Sequence, residues 1–164
     1  MSAIADFRLI ETSKLSALRD NAEIKIEKKL FSKKTIDNYW NYLNANSKKL
    51  RDFEYSGYIF ANLLSFLETK GIDLLKSKYD DIADGIVERR QHSAIILTYD
   101  HRQAYLHQLN PDSFSLEELI AFNKDFSEED DPELAKAEIE GIRMIQEGMK
   151  ELTADNQVVL LSVG

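Results

Sequence analysis

The chain has no cysteine, two prolines, six glycines and one tryptophan in 164 residues. Without cysteine there is no disulfide, no thiolate nucleophile and no thiolate metal site. Pro111 and Pro132 mark boundaries, leaving long stretches free to be helical. No apolar run approaches the ~20 residues a membrane-spanning helix needs. The first thirteen residues carry an acid at Asp6 and no basic leader, so no secretory signal is read and a cytoplasmic home is expected. At 43% hydrophobic the chain is too apolar for disorder. Its length fits one domain, residues 1–164, burying roughly two-thirds of its unfolded surface.

The net charge of -8 is unevenly placed: residues 1–51 hold 11 Lys+Arg against 6 Asp+Glu, and residues 52–164 hold 10 against 23. The acidic part repels nucleic acid and favours basic partners at low ionic strength. It also suits a plain solvated surface.

The most apolar stretch is 56–71, where Tyr58, Ile59, Phe60, Ala61, Leu63, Leu64, Phe66 and Leu67 predict a helix surrounded by protein. Ser56 is its expected N-cap and Gly71 its left-handed terminus. Before it, residues 3–10 alternate as a half-buried strand, followed by a helix with Leu15, Leu18 and Ala22 on one face. The spacing of Ile26 and Leu30 continues that helix through 23–31, and Lys28, Lys29, Lys33 and Lys34 mark an exposed basic connection. A helix opening at Thr35 carries Ile36, Tyr39, Trp40 and Leu43 as an inward stripe, with 44–51 a polar turn.

After Gly71, Ser77 and Asp80 predict a capped helix with Ile82, Ala83 and Ile86 buried and Arg89–Arg90 at its negative end. Residues 92–97 read as a short buried strand or an extended link. Thr98 caps the next helix, which Asn110–Pro111 stops. Ser115 with Glu118 forms a further cap, and Phe114 with Leu119 a hydrophobic staple. The acids around 127–133 lack both the ligand spacing and the glycine of a calcium loop. Asp131 as N-cap and Pro132 as first helical residue explain them better. That helix runs to about Leu152, with Ala137, Gly141 and Gly148 on one face for close packing. Residues 158–163, VVLLSV, predict an interior strand pairing with 3–10. The fold class is α+β: a helix-dominated single domain whose small sheet pairs the N- and C-terminal strands.

The run Ile36-Asp37-Asn38-Tyr39-Trp40-Asn41-Tyr42-Leu43 resembles the I-D-x-x-W-x-F-L segment of the YfbM-like bacterial proteins, a family of unknown function. The order of elements agrees over most of the chain, and residues 48–97 depart from the pattern. The resemblance implies an α+β fold of that type and supplies no catalytic residues.

Chemistry has few starting points. There is no G-x-S-x-G elbow, P-loop or G-x-G-x-x-G fingerprint. His92, His101 and His107 lack any paired metal-binding spacing, so no metal and no cofactor is expected. The best cluster is Tyr99, Asp100, His101 and Tyr105. His101 and Tyr105 lie at i and i+4 and could form an acid–base pair with Asp100 if a cleft lies alongside. A half-exposed surface patch is the blander account. The leading expectation is a non-enzymatic protein-binding module, with an inhibitor or immunity-type role as one form of it, acting as monomer or homodimer. The alternatives are a small enzyme centred on His101 and weak nucleic-acid binding through residues Lys28 to Lys34. That order rests on the view that helix ends and core packing account for the suggestive side chains, leaving none over for catalysis.

Overall fold

The computed structural model describes residues 3–164. Its centre is a four-stranded antiparallel sheet of β1 (Ala5–Glu11), β4 (Ser47–Lys49), β5 (Ser93–Thr98) and β6 (Gln157–Val163), in the order β4-β1-β6-β5. The two expected terminal strands pair along their whole length, from Ala5 opposite Val163 to Glu11 opposite Gln157. Helices cover both faces, so β6 is apolar on both sides because neither side meets water. Val159, Leu161 and Val163 point to one core, and Val158 and Leu160 to the other.

The first face is covered by α3 (Ile59–Thr69), α6 (Leu116–Ser127) and α7 (Pro132–Glu151). As the sequence predicts, α3 is deeply enclosed, with Phe60, Leu63, Leu64, Phe66 and Leu67 buried. Each such side chain contributes about 1.5–3 kcal/mol. Gly141 explains how α7 comes so close: a Cβ there would lie 2.7 Å from Leu63 Cδ2. Asp131 caps α7 by accepting from the Glu133 N–H, ahead of Pro132. Ser115 caps α6 through the Glu118 N–H, and Gly71 has φ 78°. Ser56 is not the cap of α3, a position held by Tyr58.

A polar chain crosses this core between helices. Asn62 Nδ2 donates to Asn123 Oδ1 and to Ser127 Oγ, and Asn123 Nδ2 donates to Glu138 Oε2 at 2.7 Å. Glu138 is fully buried, and burial raises its carboxyl to about 7, against the pull of the Asn123 bond.

The second face is covered by α1 (Leu15–Asn21), α2 (Tyr39–Asn46) and α4 (Asp80–Arg90). Here the structure corrects three readings. Residues 23–31 do not extend α1; they enter a separate hairpin of β2 (Lys25–Lys29) and β3 (Ser32–Ile36). Ile26 and Leu30, set among three lysines and two glutamates in 23–31, give a helix no core-facing stripe, whereas paired strands need none to satisfy their backbones. Thr35 belongs to β3, and α2 begins at Tyr39, with Asp37 Oδ1 accepting its N–H. The inward stripe is narrower than expected: Tyr39 and Leu43 are buried, and Trp40 is 42% exposed. The polar turn at 44–51 includes β4 at the edge of the sheet. α5 (Tyr99–Tyr105) follows β5 directly.

Candidate functional site

Along β1 and β6 the row facing the second core begins with Ile10, Val158 and Leu160, then changes character. Arg8 lies opposite Leu160, and Asp6 opposite Ser162. Two charges and a hydroxyl thus occupy inward positions on the sheet. The same alternation that buries Phe7 on one face buries Asp6 and Arg8 on the other, because both faces are covered. Arg8 Nε donates to Asp6 Oδ2 at 2.7 Å, leaving Oδ1 without a partner.

Two other elements converge there. The end of α4 delivers Arg90, whose Nη1 lies 2.8 Å from Asp37 Oδ2. Gln91 then takes a left-handed conformation, φ 56°, that turns the chain into β5 and places His92 beside the cluster. From α2 comes Tyr39, whose ring centroid is 5.0 Å from Trp40 and 5.7 Å from His92, with the Arg90 guanidinium 4.9 Å from its centre. Trp40 and His92 rings lie 6.1 Å apart.

A cavity of about 480 Å³ opens at this point, walled by Asp6, Arg8, Trp40, Phe53, Arg90 and His92, with Lys49 and Asp52 paired at its rim. Among the described residues, seven buried side-chain nitrogen or oxygen atoms make no hydrogen bond. Asp6 Oδ1, Arg90 Nη1, His92 Nε2 and Ser162 Oγ are four of them and belong to residues that line the cavity; Tyr39 OH, a fifth, lies behind it next to Ser162. The Arg90 atom keeps its charge partner and the Tyr39 and Ser162 hydroxyls face each other, whereas Asp6 Oδ1 and His92 Nε2 have none. Each such orphan costs about 1–3 kcal/mol, so a cluster of them is a concentrated destabilisation.

Electrostatics follow from the burial. Desolvation lowers the pKa of His92, and the Arg90 charge lowers it further, so the imidazole is neutral near pH 7. Burial raises the Tyr39 hydroxyl, partly offset by neighbouring Ser162 and Arg90. Both groups therefore offer neutral hydrogen-bonding atoms.

The residues singled out from the sequence have a different job. His101 is buried rather than part of an open patch. Its Nδ1 accepts from the Thr98 N–H at 3.1 Å while Thr98 Oγ1 accepts the His101 N–H, a reciprocal cap on α5. Nε2 is 2.7 Å from the Lys76 carbonyl and serves as its donor. Both ring nitrogens are thus committed to holding the α3–α4 connection against α5. Asp100 faces Lys78 at 3.6 Å, and Tyr105 stacks on His101 at 6.3 Å between centroids. The three are neighbours beside a shallow groove, with no proton acceptor free on the imidazole. Among the described residues no group of three or more His, Asp or Glu is arranged to hold a metal ion.

The sequence reading missed Asp6, Arg8, Arg90, His92 and Ser162. One available signal was a charged pair in a strand whose sheet the prediction already placed among many helices. Comparison with protein-family models, with curated proteins and with solved structures yields no match. The α+β fold and this cavity define the class: a helix-dominated domain with a polar site at the end of one sheet face.

Proposed function

We propose that this is a binding domain for a compact, amphoteric small molecule with an apolar body. The observation that carries the reading is the convergence on one cavity of two unpartnered buried polar atoms, Asp6 Oδ1 and His92 Nε2, beside the Ser162 hydroxyl. Asp6 Oδ1 is an acceptor, and Arg8 offers its terminal nitrogens as donors. Ser162 and His92 serve either way. Trp40 and Phe53 supply an apolar wall. A free amino acid with an apolar side chain has this combination: its ammonium meets Asp6, its carboxylate meets Arg8, and its side chain lies on Trp40. Ion pairs already in place hold the charged groups, so the site favours binding over proton transfer. The YfbM-like resemblance around Trp40 assigns no activity that competes with this reading.

Trp40 reports the test directly. L-phenylalanine, phenylacetate, phenethylamine and adenine are titrated while tryptophan emission and thermal midpoint are followed. Phenylalanine or adenine, carrying both donors and acceptors, should shift both readouts more than either half-molecule. Asp6→Asn should abolish the preference. Silence from all four at millimolar concentration, or equal response to phenylacetate alone, would overturn the proposal.

A further inference from the structure

The hairpin of β2 and β3 has no role in the cavity or in either core. Every described side chain from 23 to 35 is exposed, and the turn residues Leu30 and Phe31 are 91% and 96% exposed. Residues 25–34 hold five lysines and one glutamate, leaving the rest of the chain at -12. Lys28 sits directly opposite Lys33 in the ladder. Like charges facing each other across strands destabilise a hairpin, and an anion placed between them removes that repulsion.

We infer that this hairpin docks on an anionic lipid surface, with Leu30 and Phe31 entering the headgroup region and the lysines bound to phosphates above them. An apolar pair at the tip flanked by lysines on both strands matches the layering of such an interface. Distance permits it despite the acidic body. Five residues of strand reach about 17 Å, and physiological salt screens charge beyond about 8 Å. The body's repulsion is therefore weak where the tip makes contact. A nucleic-acid groove fits less well, since stacking uses aromatic faces and Phe31 is the one aromatic of the hairpin.

The test is co-sedimentation with vesicles of phosphatidylglycerol and phosphatidylcholine, against pure phosphatidylcholine, at low and high salt. A single-stranded oligonucleotide is offered in parallel. Binding to the anionic vesicles at low salt, lost at high salt and absent from phosphatidylcholine, is expected. Lys28→Gln and Lys33→Gln should each weaken it about fivefold. The double variant Leu30→Ser with Phe31→Ser should weaken it at least about tenfold. No binding to anionic vesicles, undiminished binding by the tip variant, or preference for the oligonucleotide would each refute the inference. None of these residues borders the cavity, so the outcome is independent of the proposed ligand.

Discussion

Replacing Glu138 with glutamine tests the account of the interior most sharply. In the unfolded chain its carboxyl titrates near its ordinary value of 4.5; in the folded protein burial raises it to about 7. Between those two pH values the folded state keeps a proton that the unfolded state has lost. Stability therefore falls as pH rises through this window, by about 3 kcal/mol in all, and the deficit persists above it. Glutamine keeps an oxygen for the Asn123 N–H and carries no charge. At pH 8 the variant should be more stable than the wild type by up to about 3 kcal/mol, and near pH 4.5 the gap should close. Urea unfolding followed by Trp40 fluorescence at several pH values gives the gap, and groups common to both proteins cancel. A constant offset from the new amide shifts the whole curve without altering its slope. A gap that stays flat between pH 4.5 and 8, or a Glu138 carboxyl resonance titrating below pH 5, would show the reasoning to be wrong.

Four further outcomes follow from the packing. Gly148→Ala should stabilise the protein by up to about 1 kcal/mol, since a Cβ there meets ordinary contacts at 3.5 Å or more; Gly141→Ala should destabilise it, because Leu63 and Ile59 crowd that position. Denaturation midpoints decide the order. Tyr39→Ala should cost about 3–5 kcal/mol, whereas Trp40→Ala, at the cavity rim, should change stability far less and instead weaken ligand binding. His101→Ala should cost about 2–3 kcal/mol by leaving the buried Thr98 N–H and the Lys76 carbonyl without their imidazole partners, with faster amide exchange around residues 73–79. Ser162→Ala should weaken ligand binding, measured by calorimetry, because its hydroxyl lines the cavity.

The helix boundaries legible in the sequence were those written by local chemistry. Ser115, Thr98, Asp131 with Pro132, and Gly71 each bond within a few residues of themselves, so no long-range information is needed. The pairing of β1 with β6 was legible for a related reason: a strand apolar on both faces has one kind of home. The hairpin failed because Ile26 and Leu30 fit a helical period by spacing alone, while the pairing of Lys28 with Lys33 leaves no apolar trace. The site was harder still. Asp6, Arg8 and Ser162 meet across strands some 150 residues apart in sequence, and His92 arrives through the left-handed Gln91. His101 drew attention because its neighbours in sequence were suggestive, yet the capping bond that occupies it is also local. Reading Thr98 as a cap should have assigned the imidazole at N3 to the same task.

The position of β6 between β1 and β5 governs the order of events during synthesis. Neither neighbour pairs with the other, so the sheet has no continuous ladder until residues 157–163 leave the ribosome. Until then two apolar helical layers have nothing to close upon, and the nascent chain depends on chaperones or speed to stay out of aggregates. Deletion of β6 would therefore be read in the cell as failure to accumulate, well before any question of ligand arises.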